Sequence, residues 1–202
     1  MTNSDPSAPD PSGADGVRPG DPQPWVLLGE EPGYDGFLTV RRRRYRMANG
    51  READWDVFGP AMNAGVNGGV AVLPLTPDGR IVTVRMFRAG PDRVVTNLPG
   101  GLIDPGEDPA DAGRRELEEE TGYTCDSIEV VGWLWSGSSS VFRKYVAIAR
   151  GCRPDGKQSL DEFEDCVPAE LSTSEFLADL RTPGTMTGTD AAYFALDHAG
   201  LL

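Results

Sequence analysis

Glu116, Glu119 and Glu120 recur at i, i+3 and i+4 in the stretch GLIDPGEDPADAGRRELEEETGY of residues 101–123. On a helix this spacing projects all three carboxylates from one face of one turn. Like charges so placed repel, by about 0.2–0.5 kcal/mol per pair on an exposed helix. The cluster is therefore either a solvated acidic face or a set of oxygen ligands for hard cations. Only the cation reading gives it chemistry.

The flanking residues position that cluster. Asp108 suits an N-cap, and Pro109 suits the first helical position, where its missing N–H is no loss. Gly122 stands where a left-handed residue ends a helix. Ala110, Leu117 and Thr121 share the opposite side, a narrow face of mostly small residues fit to pack on a sheet. Ahead of the helix, Asp104-Pro105-Gly106 is a turn signal. The segment reads as loop, then helix, with an acidic face left over. Glu107 precedes the helix and Arg115 adjoins the acidic face, so an ion pair between them would pin the loop and orient the carboxylates.

With 202 residues, the chain allows one ordinary domain, or one domain with a smaller appendage. Its net charge of −13 argues against non-specific nucleic-acid binding and against anionic membrane surfaces. A diphosphate substrate would then need cations on the acidic helix, helped by local arginines, to reverse the field. Residues 1–24 are rich in Pro, Asp, Gly and Ser, which predicts a disordered tail; they lack the basic and apolar runs of a secretory signal. No stretch approaches the length of a transmembrane helix. Cys125, Cys152 and Cys166 are odd in number and unlike a zinc pattern, which predicts reduced thiols in a cytoplasmic protein.

Within an N-terminal segment of residues 25–60, strands are predicted at 37–46 and 54–58, forming a small antiparallel unit. The run FLTVRRRRYR places Val40, Arg42 and Arg44 on one side and Arg41, Arg43 and Tyr45 on the other. Its arginines either pair with flanking acids on a solvated strand or reach a phosphate through the planar guanidinium. In residues 61–202, apolar strands are predicted at 69–75 and 80–88, joined by the turn Thr76-Pro77-Asp78-Gly79. Further strands follow at 94–98, 128–135 and 141–149. Ser172-x-x-Glu175 is a capping box opening a helix through Leu180, and another short helix is predicted from Asp190 to His198. Strands mixed with few helices, not strictly alternating, predict an α+β sandwich with a mixed sheet.

At every charged and glycine position, Gly101-x5-Glu107-x7-Arg115-Glu116-Leu117-x-Glu119-Glu120-x-Gly122 resembles the Nudix box of the Nudix hydrolases. The resemblance implies the Nudix α/β/α sandwich, with the box helix packed on a mixed central sheet. Residues 37–200 further resemble the ADP-ribose pyrophosphatase branch, which also hydrolyses other nucleoside-diphosphate sugars. The shared features are the N-terminal antiparallel unit and Val84-Arg85-Met86-Phe87-Arg88 ahead of Leu98-Pro99-Gly100-Gly101. The acidic stretch 161–165, before a strand and two helices, is another. Members of that branch are commonly homodimers, so a homodimer that exchanges residues 25–60 is implied. One departure is the loop SGSSSVFRK of residues 136–144, which lacks the branch's usual proline and following acid. Its Arg143 and Lys144 either end the loop or contact a further phosphate or sugar acid.

The implied reaction is hydrolysis of the P–O–P bond of ADP-ribose or another nucleoside diphosphate sugar, giving a nucleoside monophosphate and a sugar phosphate. Mg²⁺, with Mn²⁺ as a substitute, would generate the nucleophile and neutralise charge on the leaving phosphate. Its expected principal ligands are Glu116 and Glu120, with Glu119 shared or water-mediated and the Gly100 carbonyl a further ligand. The general base is expected from the acidic loop, as Glu162 or Glu164. Arg85, Arg88 and Arg44 are candidates for phosphate. Trp55, Tyr45 and Phe87 could stack on a base but serve equally as packing. Trp133 and Trp135 share a strand face, which predicts core burial, and His198 is read as structural. Two other functions stay open. The same metal site could act on a non-nucleotide diphosphate such as a prenyl diphosphate, or the scaffold could be a non-catalytic ligand sensor. The intact box counts against the sensor.

Overall fold

A computed structural model describes residues 20–202 except 61–64, 67 and 163. Residues 1–19 of the predicted tail, and the boundary expected at residue 61, lie outside the described residues.

An N-terminal sheet joins β1 (Val26–Asp35), β2 (Leu38–Arg46) and β3 (Glu52–Pro60) in antiparallel order. The remaining strands are β4 (Gly68–Leu75), β5 (Ile81–Arg88), β6 (Arg93–Asn97), β7 (Ser127–Trp135), β8 (Arg143–Arg150) and β9 (Val167–Leu171). They form a mixed sheet in the order β6-β5-β4-β8-β7, with β9 paired to β5. Its centre is the parallel pair β4–β8, in register from Gly68 opposite Arg143 to Leu75 opposite Arg150.

The sequence of β4, GGVAVLPL, is apolar on both faces, as a strand covered on both sides must be. Val70 and Val72 pack toward α1 (Pro109–Thr121), in a cluster with Ala112, Leu117 and Ala147. Leu73 and Leu75 pack the other way, against α2 (Thr173–Arg181) and α3 (Thr189–Ala199) through Phe176, Leu180 and Leu196. Leu117, Phe176 and Leu196 are fully buried, and each such side chain contributes about 1.5–3 kcal/mol. The result is an α/β/α sandwich with α1 alone on one face, as the resemblance implied. The Ser172–Glu175 capping box of α2 forms in both directions.

The arginine run of β2 pairs across its own sheet: Arg42 with Asp56, Arg43 with Glu30, Arg44 with Asp54 and Arg46 with Glu52. Such exposed pairs add little stability. The sheet is tied to the core at Phe58, whose N–H donates to the Ser139 carbonyl while its carbonyl accepts from the Val141 N–H, both at 3.0 Å. Trp55 Nε1 adds a contact to Ser139 Oγ at 3.3 Å. Trp135, predicted as core, is 53% exposed, because β7 is an edge strand. Its ring and that of Trp133 carry the Arg143 guanidinium, 5.7 and 5.1 Å from the two centroids.

Candidate active site

The ends of α1 fix its orientation. Asp108 accepts from the Ala110 N–H at 2.8 Å, Pro109 opens the helix, and Gly122 closes it in the left-handed conformation, donating to the Glu118 carbonyl at 2.7 Å. Leu117 buries the opposite face, so the acidic face turns toward the chain that leaves β6. That segment lies along β4: Val72 N–H donates to the Pro99 carbonyl and Val70 N–H to the Gly101 carbonyl, both at 2.9 Å. The Gly100 N–H between them donates to Glu120 Oε2, also at 2.9 Å.

Arg115 organises the remaining acids. Its Nε and Nη2 grip Glu107 as a fork, each at 2.9 Å, and Nη1 reaches Glu116 at 2.8 Å and Glu119 at 3.1 Å. Nη2 also donates to the Leu102 carbonyl at 3.1 Å. A planar five-donor group can serve this many acceptors at once; an ammonium cannot. Hydrogen bonding to Arg115 holds the Glu107 carboxyl below its usual range.

Glu116 and Glu120 are buried, at 8% and 2% exposure. Burial pushes Glu116 up, against the opposing pull of Arg115. Burial likewise pushes Glu120 up to about 7, opposed by the Gly100 N–H and reinforced by the charges of Glu116 and Glu164. Buried carboxylates that push one another toward protonation form a donor set short of positive charge, which a hard divalent cation fits. Arg115 engages one oxygen each of Glu116 and Glu119. Among the described residues, no three acidic, thiol or imidazole side chains already close into a cation cage.

This arrangement has a pH signature. Between the ordinary value of 4.5 and about 7, the folded protein binds more protons at Glu120 than the unfolded chain does. Stability from this group is therefore present at low pH and is lost as pH rises through that window. The melting temperature of metal-free protein, relative to the Glu120→Gln variant, is expected to fall between pH 5 and pH 8. Thermal denaturation in chelator measures it, and parallel pH profiles for the two proteins would overturn it.

The acidic face opens into a cleft of about 680 Å³. Glu116, Glu120, Gly100 and Arg115 line one wall. Arg88 and Lys144 bring positive charge, and Lys144 Nζ is held by Asp190 at 2.9 and 3.0 Å. Arg85 shares β5 with Arg88 but is exposed on the other face, as strand alternation requires, and does not line the cleft. Arg44 and Trp55 do not line it either; they are engaged in the N-terminal sheet, Arg44 by Asp54 and Trp55 by Trp25 and Ser139.

Of the two candidate bases, Glu164 lines the cleft and Glu162 is exposed outside it. A local turn separates them: Glu164 N–H donates to the Asp161 carbonyl at 3.0 Å, and Asp161 N–H returns to Glu164 Oε2 at 3.1 Å. That turn directs Asp161 and Glu164 into the cleft together. The loop carrying them is stitched to the C-terminal turn of α1. Gln158 Nε2 donates to the Glu120 and Cys166 carbonyls at 2.8 and 2.9 Å, and Ser159 N–H to the Glu119 carbonyl at 2.9 Å. Sequence reasoning missed Gln158, and it missed the cleft residues Phe37, Asn97, Thr187 and Gly188. These come from separate elements, and no local signal marks them.

Comparison with known proteins agrees with this geometry. A family model described as the NUDIX domain matches residues 66–185. The methanol dehydrogenase activator of Bacillus methanolicus is 35% identical over 141 residues, spanning 65% of this chain and 74% of that protein. An ADP-ribose pyrophosphatase of Bacillus subtilis is 44% identical over 61 residues, 30% of this chain and only 33% of that protein's length. A crystal structure of an ADP compounds hydrolase superposes with a TM-score of 0.72 at 20% identity, covering 90% of this chain and 99% of that one. The family match spans most of the α/β/α core and includes the loop–helix unit that holds Glu116 and Glu120, so the chain belongs to the Nudix family and is a Nudix hydrolase.

Proposed function

We propose that the chain is a Mg²⁺-dependent pyrophosphohydrolase that cleaves ADP-ribose or another nucleoside diphosphate sugar into a nucleoside monophosphate and a sugar phosphate. The observation that carries this reading is the pair of buried carboxylates, Glu116 and Glu120, on one wall of a cleft whose other residues include Arg88 and Lys144. Glu116 and Glu120 are the principal ligands of the cation, and Glu119, half exposed at the rim, is a shared or water-mediated one. The Gly100 carbonyl is the further ligand. When bound, Mg²⁺ (or Mn²⁺ in its place) supplies a better nucleophile and neutralises the leaving phosphate.

The chain's own residues do the rest. Arg115 and Glu107 hold the ligand side chains at a fixed angle on α1. Glu164, facing Glu116 and Glu120 across the cleft, accepts the proton of the attacking water. Arg88 offers its guanidinium to the diphosphate oxygens. Lys144, its ammonium held by Asp190, presents a donor to a hydroxyl-bearing group, and Asn97 and Thr187 add polar groups to the same lining. Such a lining favours a sugar over a prenyl chain, which needs an apolar tunnel.

Phosphate release with added phosphatase, across diphosphate sugars, nucleoside diphosphates and prenyl diphosphates, tests this reading. Turnover of a diphosphate sugar in Mg²⁺ and its loss in chelator is the expected result. Prenyl diphosphate turnover with silent sugars would replace the substrate class. Silence throughout, with folded protein, would favour a sensor.

The homodimer and the cytoplasmic location belong to the same proposal. Val26, Leu27, Tyr34, Phe37 and Leu38 leave the N-terminal sheet apolar and exposed, which supports a second copy pairing there. Three free cysteines support a reducing compartment. Among the described residues, no helix is long and apolar enough to cross a membrane.

A further inference from the structure

Two of the cysteines meet across the sheet. Beyond the end of β7 and β8, Thr124 and Arg153 exchange both backbone hydrogen bonds, at 2.9 and 3.0 Å, as an antiparallel bridge. Ser127 opposes Arg150 at the start of the ladder. One step inward from the Thr124–Arg153 bridge, Cys125 lies opposite Cys152. The step after a hydrogen-bonded pair is a non-hydrogen-bonded pair, where Cα atoms approach to about 4.5 Å and side chains are closest. The Cys152 N–H fits that geometry by turning away to donate to the Leu75 carbonyl at 3.0 Å. Inward of the pair the backbone bends, with the Asp126 N–H donating to the Arg150 carbonyl at 3.0 Å and Gly151 at φ 67°. The facing of the two cysteines therefore rests on the Thr124–Arg153 bridge beside them. Disulfides span Cα separations of about 4.4–6.8 Å, the range of such facing pairs.

The surroundings agree. Both side chains enter the apolar cluster beneath α1, Cys152 within it and Cys125 packed against it. Cys152 is 1% exposed, whereas Cys125 is half-buried with Arg114 Nη1 3.3 Å from its sulfur. Burial pushes the Cys152 thiol up to about 12, and the neighbouring Cys125 pushes it in the same direction. Burial also raises Cys125, against Arg114. Both thiols are therefore protonated and free at neutral pH. The third cysteine, Cys166, lies elsewhere, buried with Val84 and Met86 and with its sulfur against Glu120.

We propose that Cys125 and Cys152 form a latent intrachain disulfide that closes under peroxide. Cys125, the more accessible partner beside Arg114, gives up its thiol proton, and its sulfur attacks one peroxide oxygen and breaks the O–O bond. Hydroxide leaves and takes a proton as water, and Cys125 becomes a sulfenic acid. The sulfur of Cys152 then attacks the Cys125 sulfur, the S–O bond breaks, and the second oxygen leaves as water with the Cys152 proton. Two thiols and one peroxide give one disulfide and two waters. The bond joins the residues just after α1 to the start of the loop that carries Glu164, closing the chain between positions 125 and 152.

The test is brief peroxide treatment of the full chain, alkylation of the remaining thiols and peptide mass spectrometry. The expected products are a Cys125–Cys152 linked peptide, two hydrogens lighter than the reduced pair, and an alkylated Cys166. The melting temperature is expected to rise by about 3–8 °C and to return on adding dithiothreitol. Cys166→Ser should keep the linked peptide, and Cys125→Ser should abolish it. Sulfinic acid at Cys125 with Cys152 still alkylated would overturn the proposal, as would a bridge to Cys166. The wild-type mass spectrum decides this even if a variant fails to fold.

Discussion

Glu120→Gln is expected to leave the protein folded and to lower kcat by about a thousandfold. The amide keeps the size of the side chain, and its oxygen can still accept from the Gly100 N–H that now lies 2.9 Å from Glu120 Oε2. What disappears is a negative charge at a position 2% exposed. Burial already pushes that carboxyl up to about 7, so its ionised form opposes folding at neutral pH and the neutral amide does not. The variant should therefore melt at or above the wild-type temperature in chelator, and should lack the stabilisation by Mg²⁺ that the proposed ligand role predicts for the parent. Glu119→Gln provides the contrast. Its side chain is 42% exposed and among the described residues is held by Arg115, so a loss of about tenfold is expected. A folded Glu120→Gln protein with wild-type turnover and an unchanged Mg²⁺ requirement would sink the ligand assignment.

The loop–helix unit was legible in the sequence because its signals are local. The N-cap, the N1 proline, the left-handed glycine and the spacing of Glu107, Arg115, Glu116 and Glu120 all lie within a few turns of one another. The central strands were legible for a similar reason: β4, β5 and β8 are apolar runs bounded by turns. β1 was not. Its sequence VLLGEEPGYD has no alternation, contains Gly and Pro, and is exposed at every residue. It is a strand because β2 pairs along its length, through two register shifts. Long-range pairing likewise decided which candidates reach the cleft. Arg44 was a sound phosphate candidate by residue type, but Asp54 stands opposite it in register and takes it. Which of Glu162 and Glu164 lines the cleft follows from the phase of one turn. The facing of Cys125 and Cys152 is invisible without the Thr124–Arg153 bridge, since 26 residues separate them in the chain.

Gly100→Ala has the largest expected effect on the fold around the site. Gly100 has φ 150°, and a Cβ built on it would stand 2.0 Å from the Val70 carbonyl oxygen, 2.9 Å from the Val70 carbonyl carbon and 3.0 Å from the Ala71 Cα. All three are backbone atoms of the central strand β4, locked in parallel register with β8, so none can rotate aside. The loop must lift instead. Lifting it breaks the Val70–Gly101 and Val72–Pro99 hydrogen bonds and draws the Gly100 N–H away from Glu120. The strained φ costs about 1–3 kcal/mol, and each lost hydrogen bond about 1 kcal/mol. A fall of about 6–15 °C in melting temperature, with loss of activity, is expected. Gly101→Ala separates fold from site. Its added Cβ meets the Glu116 carboxylate, with Oε1 at 2.4 Å and Cδ and Oε2 at 2.6 Å, the far end of a side chain that can swing away. The melting temperature should then move by only a few degrees, while turnover falls by about a hundredfold or more because Glu116 no longer faces Glu120. Thermal denaturation and kcat measured on both variants check the pair. If Gly101→Ala keeps full activity, the position of Glu116 does not matter to the reaction. If Gly100→Ala melts like the parent, the packing of this loop on β4 is not what holds the site together.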